Sequence, residues 1–211
     1  NEVQLNSNVN LVFNLSRNVI TTEEVLISGL RADDRTPSTK QNINRETLAA
    51  LSYGQDLPML LSLTPSLVST SDAGAGIGYT SMRIRGTDIS RINVTLNGVP
   101  VNDPESHGVF WVNMPDLSSS VDNIQIQRGV GTSANGAAAF GASINIQTTK
   151  LNPTPFAEIR SNAGSFNSLS NSVSFGTGLI DNKWSFDGRL SKISSDGFID
   201  RATSDLKSYF F

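Results

Sequence analysis

Cysteine is absent from the 211-residue sequence, and histidine occurs once, as His107. Disulfide bonds, thiolate metal sites, catalytic Cys–His pairs and sites built from several histidines are therefore excluded. A Ser–His–Asp triad would have to use His107 in a loop, and no serine stands in a Gly-x-Ser-x-Gly elbow. We expect that the chain is not an enzyme and that it holds no cofactor and no metal.

Charged residues and long apolar runs are also scarce. Charged residues make up 17% of the sequence, with a formal net charge of -3, which argues against a nucleic-acid partner. No apolar run reaches the roughly 18 residues of a transmembrane helix. Hydrophobic residues amount to 37%. Serine, asparagine and glycine make up much of the remaining sequence, which favours turn-rich β structure over helical bundles.

The middle of the chain predicts two short helices followed by short strands. Asn44 is a plausible N-cap for a helix over residues 45–51, and Thr64-Pro65 would stop a second helix over 55–61. Asn97-Gly98 between two apolar runs predicts a hairpin with a type I′ turn. Strands are predicted over residues 66–70, 82–86, 92–96, 99–101, 124–128 and 143–148, after a connection over 31–40.

After Lys150 the apolar residues alternate with polar ones. The alternating runs cover residues 156–162, 169–175, 184–191 and the stretch from 206 onward. Strands of roughly ten residues with one face in lipid and one in a polar lumen give this pattern. An ordinary soluble β-sheet predicts the same alternation.

Four segments follow one another in a characteristic order: Met82–Gly86 (MRIRG), Asn93–Pro100 (NVTLNGVP), Ile124–Gly129 (IQIQRG) and Phe140–Ile146 (FGASINI). This succession resembles the plug domain of TonB-dependent outer-membrane receptors, with its I-R-G strand, D-G-x-P hairpin, I-E-x-x-K/R-G strand and final I-N-I strand. Asn97, Gln125 and Phe140 stand where that pattern usually has Asp, Glu and Tyr. The leader and residues 112–117 resemble the Bacteroidetes branch of the family.

The resemblance implies an α+β plug domain, a small mixed sheet with short helices, over residues 21–150. Residues 151–211 would be the first antiparallel strands of a transmembrane β-barrel of about 22 strands. Residues 1–20 would be a leader or the end of a preceding carboxypeptidase-regulatory-like domain. Four strands of an open sheet would leave an unpaired edge and an apolar lipid face, so the chain is expected to be a fragment of a longer protein.

The function implied is TonB-dependent active uptake of a scarce nutrient across the outer membrane of a Gram-negative bacterium. The plug would be gate and cargo-binding element, and the cargo an iron chelate, haem or a cobalamin-like compound. The alternatives are a SusC-like glycan or peptide importer and a non-transporting structural or signalling component. Expected partners are TonB with its inner-membrane energising complex, outer-membrane lipid and small-molecule cargo, with a surface lipoprotein as a further candidate.

A motor protein that pulls on the plug needs an extended segment for strand addition. The candidate TonB box consists of Glu23, Glu24, Val25, Leu26, Ile27 and Ser28. A simple linking strand is the alternative for these residues.

Cargo contacts are expected from loops over residues 71–79, 87–89 and 102–111. The candidates are Tyr79, Asp103, Glu105, His107, Phe110 and Trp111. Aromatic rings suit a planar or hydrophobic chelate. Packing against the barrel wall explains Phe110 and Trp111 equally well, and a solvated polar loop explains the acidic residues better than a metal site.

Arg85 and Arg128 match arginines that, in several family members, pair with barrel glutamates and hold the plug in place. The resemblance therefore implies a plug–barrel lock at these two residues, since a guanidinium suits bidentate pairing with a carboxylate. The glutamates would lie beyond Phe211.

Overall fold

The computed structural model describes residues 30–33, 35–131, 140–148, 152–181 and 183–211. This part of the chain forms a five-stranded sheet, a four-stranded sheet and a two-stranded sheet. The candidate TonB box, residues 23–28, lies outside the described residues. Within the described ranges, no helix has the length and hydrophobicity needed to cross a membrane.

The elements before residue 150 are mostly short strands with two α-helices. In chain order they are β1 (Thr39–Asn44), α1 (Arg45–Leu51), α2 (Leu57–Leu60), β2 (Leu67–Ser71), β3 (Thr80–Ile84), β4 (Ile92–Leu96), β5 (Val99–Pro100), β6 (Asn123–Arg128) and β7 (Ala142–Gln147). Short 3₁₀ turns cover Leu61–Leu63, Ile89–Arg91, Trp111–Asn113 and Leu117–Ser120. The predicted small mixed sheet with short helices is confirmed.

The five-stranded sheet, which we call the mixed sheet, has the strand order β1-β6-β7-β4-β5. The β4–β7 pair is parallel and the other pairs are antiparallel. Because side chains alternate across a strand, one face of β6 and β7 carries Ile124, Ile126 and Ile144, each with 0% exposure. This face packs with α1 and α2 into the hydrophobic core, where the leucines of both helices lie.

The first helix begins at the predicted cap. The side chain of Asn44 accepts hydrogen bonds from the backbone N–H of Thr47, at 2.9 Å, and from its hydroxyl, at 2.7 Å. These bonds satisfy a donor that the first turn of a helix leaves unpaired. The second helix is shorter than predicted, because its chain tightens into a 3₁₀ turn after Leu60.

The predicted hairpin is confirmed at Asn97-Gly98. Asn97 has a φ of 50° and Gly98 a φ of 83°. A type I′ turn needs positive φ at both central residues, which Asn and Gly adopt at low cost. The turn brings Leu96 opposite Val99.

Two local predictions before residue 100 were wrong. Strand β1 over residues 39–44 was not predicted, and its first two residues lie in the predicted connection over 31–40; the sequence of β1 is polar, and the strand forms by pairing with β6. The strand predicted over 82–86 ends at Ile84, because Arg85 and Gly86 have φ values of 52° and 76° and form a turn.

After residue 152 the chain forms an antiparallel meander, which we call the meander sheet. Its strands are β8 (Phe156–Gly164), β9 (Ser168–Gly176), β10 (Asp187–Ser195) and β11 (Ser204–Phe210), paired in chain order. The strand predicted over 184–191 starts later, because Trp184 bridges back to Ile180 and closes the preceding turn. The other three runs form strands where they were predicted.

Candidate functional site

The mixed sheet's domain and the meander sheet meet at a buried ion pair. Nη1 of Arg189, on β10, lies 2.8 Å from Oδ2 of Asp116, with side-chain exposures of 5% and 3%. Asp116 has a φ of 55° in the turn between two 3₁₀ segments, which aims its carboxylate at the strand. Among the ion pairs of the described residues, this one joins the two parts of the molecule.

Hydroxyl groups satisfy the remaining hydrogen-bonding capacity of this pair. Arg189 donates to the hydroxyls of Ser120, Ser191 and Ser208, and Ser119 donates to Oδ1 of Asp116. Taking two charges out of water is costly unless they are paired and further hydrogen-bonded. Removing either partner would leave an uncompensated charge in the interface.

The rest of this interface is polar and loosely filled. A cavity of about 210 Å³ lies on the Asp116 side, between Ser52 and Ser119 of the first part and Arg160 and Ser172 of the meander sheet. A smaller cavity of about 60 Å³ lies on the Arg189 side. A cavity of about 210 Å³ with hydroxyl groups in its walls can hold water.

The connection between β2 and β3 is a glycine-rich loop. Gly74, Gly76 and Gly78 have φ values of 70°, 75° and 94°, which a side chain at Cβ would strain. The loop closes through a hydrogen bond from the N–H of Asp72 to the carbonyl of Tyr79, at 3.0 Å. It also reaches the meander sheet, since the N–H of Phe198 donates to the carbonyl of Ala73, at 2.8 Å.

A cavity of about 420 Å³ opens beside this loop. Its walls are the loop itself, Tyr53 in the connection between α1 and α2, Met59 of α2, and the β8–β9 turn with Phe166. Phe166 also packs edge-to-face on Phe198, with ring centroids 5.4 Å apart. Aromatic and backbone groups from three elements therefore converge around one opening.

Asp56 lies buried under the glycine-rich loop. Its side chain accepts a hydrogen bond from the Thr80 hydroxyl at 2.9 Å, and its N–H donates to the carbonyl of Gly76 at 2.8 Å. Burial raises the pKa of Asp56 to about 6, against the opposing effect of hydrogen bonds from Thr80 and Gly78. The loop thus rests on a carboxylic acid that titrates near neutral pH.

The predicted cargo-contact residues divide between surface and core. Tyr79 is 65% exposed and Phe110 is 46% exposed, whereas Trp111 is only 3% exposed and packs in the core. Asp103, Glu105 and His107 lie together in one exposed turn. The structure therefore gives Trp111 a packing role and leaves the other five side chains on the surface.

The turn at Asp103 uses its own carboxylate. Oδ2 of Asp103 accepts hydrogen bonds from the N–H groups of Glu105 and Ser106 and from the Ser106 hydroxyl. The bonds from Ser106 are the main reason that the pKa of Asp103 lies below its ordinary value. Within the described residues, no three acidic or histidine side chains are placed to share a metal ion.

The structure brings Arg85 and Arg128 to the same end of the mixed sheet, beside Thr39. Nη2 of Arg85 donates to the Thr39 hydroxyl at 3.4 Å, and Arg128 pairs with Thr39 across the β1–β6 ladder. Nη1 of Arg128 donates to the carbonyl of Pro65 at 3.0 Å. Neither guanidinium forms an ion pair with a carboxylate in the part of the chain that the structure describes.

Sequence reasoning missed the Asp116–Arg189 pair. One signal was available: the alternation of residues 184–191 places Arg189 on the polar face of its strand, with Asp187 and Ser191. Its partner could not be predicted, because the turn that orients Asp116 depends on a positive φ at this residue, which no sequence pattern indicates.

Comparison with known proteins connects this geometry to a family. The profile described as TonB-dependent Receptor Plug Domain matches residues 32–143, more than half of the chain. The chain belongs to this family of plug domains. The match covers the mixed sheet with its helices and ends within β7, whereas the meander sheet lies beyond it.

Solved structures share the fold of the plug domain and extend beyond it. The copper transporter OprC matches with a TM-score of 0.60 and 16% identity over 81% of this chain and 26% of its own. The Pseudomonas aeruginosa receptor FpvA bound to heterologous pyoverdines matches with a TM-score of 0.59 and 15% identity, over 76% of this chain and 21% of its own. The siderophore receptor PirA from Acinetobacter baumannii matches with a TM-score of 0.57 and 21% identity, over 74% of this chain and 24% of its own.

The chain spans roughly a quarter of the length of these receptors. No curated protein matches the sequence. At these identities the likeness shows the fold alone. The plug family and the structural neighbours are receptors and transporters rather than enzymes.

Proposed function

We propose that this chain is the plug and the first barrel strands of an outer-membrane receptor that takes up a scarce nutrient with energy from TonB. The observation that carries the proposal is the polarity of the meander sheet beside the plug. The face of β8–β11 that meets the plug bears serines and Arg189, whereas the opposite face carries the exposed apolar side chains, beside one polar row at Ser161, Asn171 and Lys192.

The apolar face is formed by side chains that alternate with the buried polar ones. Its exposed members include Ile159, Leu169, Val173, Phe175, Leu190, Tyr209 and Phe211. A soluble sheet that packs on a domain would place these residues inward. A barrel strand places them toward lipid and its polar residues toward the lumen, which here contains the plug. The proposed division is therefore plug over residues 21–150 and barrel strands over 151–211.

The plug then acts as a gate whose contact with the wall is polar. An interface of hydroxyl groups and water-sized cavities resists separation of the plug from the wall less than an apolar interface would. Each hydrogen bond that is lost on separation is replaced by one to water. Among the ion pairs of the described residues, the Asp116–Arg189 pair joins the plug to the meander sheet. Arg85 and Arg128, which have no carboxylate partner among the described residues, are proposed to pair with barrel glutamates elsewhere in the protein.

The proposed cargo is an iron chelate, haem or a cobalamin-like compound. Structural neighbours are receptors for pyoverdine, yersiniabactin and alcaligin, and one is a copper transporter. The exposed Tyr79 and Phe110 offer rings for stacking on such compounds, and Asp103, Glu105 and His107 offer polar contacts. Residues 23–28 remain the proposed TonB box, and the leader supports placement in the Bacteroidetes branch.

Uptake in cells tests this proposal. Cells that produce the full-length receptor are supplied with labelled ferric siderophores, haem or cobalamin, with and without TonB. We expect accumulation of one cargo class to require TonB, and deletion of residues 23–28 to abolish accumulation while surface binding persists. Equal accumulation of every cargo without TonB would refute active uptake.

A further inference from the structure

The mixed sheet has a second face, opposite the isoleucines, that is polar and yet buried. Its side chains are Asn93, Thr95, Gln125, Gln127, Ser143 and Asn145, each at most 9% exposed. On β6 the two faces alternate strictly, with Ile124 and Ile126 toward the core and Gln125 and Gln127 on the polar face. Buried amides of this kind are costly unless they find partners.

The partners of both glutamines lie in the backbone just before β1. Oε1 of Gln125 accepts from the N–H of Ala32 at 2.7 Å, and its Nε2 donates to the carbonyl of Ala32 at 3.1 Å. Nε2 of Gln127 donates to the carbonyl of Leu30 at 3.3 Å and to Oε1 of Gln125 at 3.0 Å. Gln125 therefore exchanges two hydrogen bonds with one residue, as a paired β-strand would.

Other contacts bind the same short segment to its surroundings. Nη2 of Arg31 donates to the carbonyl of Asn145 on β7, at 3.2 Å, and Nζ of Lys40 donates to the carbonyl of Ala32, at 3.2 Å. Nε2 of Gln125 also donates to Oδ1 of Asn42 on β1, at 2.9 Å. The segment is thus attached to three strands through side chains, although it is not itself a strand of the sheet.

We propose that Gln125 and Gln127 form a clamp that passes tension from the chain before Leu30 into strand β6. This inference rests on the proposed function, in which the plug is pulled from its N-terminal side. The two glutamines are positioning residues, since their side chains are buried and hold the backbone of residues 30–32. Tension on the segment acts on the hydrogen bonds of the two glutamine side chains before it reaches the β1–β6 ladder, because Ala32 precedes β1 in the chain.

The choice of amide side chains fits this role. A glutamine both donates and accepts, so it can hold the N–H and the carbonyl of Ala32 together, which a carboxylate cannot do. A methionine has a similar shape without either function. Replacing both glutamines with methionine therefore removes the clamp with little change in volume.

Single-molecule pulling on the full-length receptor in membranes tests the clamp. The 211 residues contain no cysteine, so Asn1→Cys and Arg35→Cys each give one attachment point in this part of the chain. The first point lies before the clamp and the second lies after it. In the Gln125→Met/Gln127→Met variant, we expect the first rupture event to be lost when pulling from residue 1 and to be unchanged when pulling from residue 35.

A matched control uses Gln147→Met, at the end of β7 and on the same face, whose side chain forms none of the hydrogen bonds described between the sheet and residues 30–33. It should change neither pulling experiment. An equal loss of force from both attachment points would mean that the glutamines only stabilise the sheet. Unchanged force from residue 1 would also overturn the clamp.

Two further measurements separate the clamp from the proposed function. Loss of one buried hydrogen bond is expected to speed exchange of the Ala32 amide about tenfold in Gln125→Met. In cells, the double variant should bind cargo as the wild type does and lose most TonB-dependent uptake. A wild type without TonB-dependent uptake would refute the function, whereas a double variant with normal uptake would refute the clamp alone.

Discussion

The two large sheets of this chain follow the same alternation rule with opposite results. The mixed sheet buries Ile124, Ile126 and Ile144 on one face, as a water-soluble domain does. The meander sheet buries Ser170, Ser172 and Arg189 and leaves Ile159 with 77% exposure. Periodicity therefore identifies a strand, whereas the solvent on each side decides which face is apolar.

The contact between the two parts gives the largest expected effect. Asp116→Asn should destabilise the plug against the meander sheet by about 3–5 kcal/mol, because it leaves the charge of Arg189 buried without a partner. Replacing both residues, in Asp116→Asn/Arg189→Met, should restore much of this loss and keeps at position 116 a residue that tolerates the positive φ. Hydrogen exchange of β10 and of the segment around residue 116, in the full-length receptor, measures both effects.

A double variant as unstable as the single one would contradict this account, since it would show that the pair contributes net attraction and not only mutual compensation. Ser191→Ala serves as the control. It removes one of the hydroxyls around Arg189 and leaves the ion pair in place.

A charge on the apolar face of the meander sheet tests whether that face meets lipid. Val173→Lys should reduce the stability of the membrane-inserted protein by about 2–4 kcal/mol if the residue lies near the bilayer midplane. Ser161→Lys, on the same face but in a row with Asn171 and Lys192, should cost much less. Urea-dependent folding into lipid vesicles, followed by gel mobility, compares the two. Equal tolerance of both lysines would indicate that this face meets water.

Two buried aspartates, Asp116 and Asp56, differ in their surroundings. Asp116 is paired with a cation, whereas Asp56, at 3% exposure, has a hydroxyl and backbone groups as its neighbours. The pKa of Asp56 is raised from 3.8 to about 6. At pH values between these two numbers, the folded state therefore holds a proton that the unfolded state has released. Stability from this group is full below pH 3.8, falls as the pH rises to about 6, and is then constant.

Asp56→Asn should therefore stabilise the glycine-rich loop at pH 7 by on the order of 2–3 kcal/mol and remove its dependence on pH in this window. Amide exchange across residues 72–79, corrected for intrinsic rates at pH 4 and pH 7, measures both. Asp72→Asn, in the same loop, is the control. A variant that keeps the wild-type pH dependence would show that another group causes it.

Much of the fold followed from sequence because its signals are local. The Asn44 cap and the Asn97-Gly98 turn depend on neighbouring residues, and both are confirmed. Strand β1 was missed, because its polar side chains become ordered only through pairing with β6, far away in sequence. The Asp116–Arg189 pair and the glutamine contacts with Ala32 could not be predicted for the same reason, since each joins residues more than seventy positions apart.

The smallest expected effect belongs to the hairpin, where a local signal and a distant contact combine. Asn97 tolerates a positive φ, and its side chain exchanges two hydrogen bonds with Thr148, at 2.7 and 2.9 Å. Asn97→Ala loses both advantages and should cost about 1–2 kcal/mol, whereas Asn97→Asp keeps the acceptor for the N–H of Thr148 and should cost about half as much. Denaturant-dependent exchange of β4 and β7 ranks the two variants. Equal losses would contradict this account, because they would assign the whole effect to the bond from Nδ2 to the Thr148 hydroxyl, which both variants lose, and nothing to the positive φ or to the bond from the N–H of Thr148.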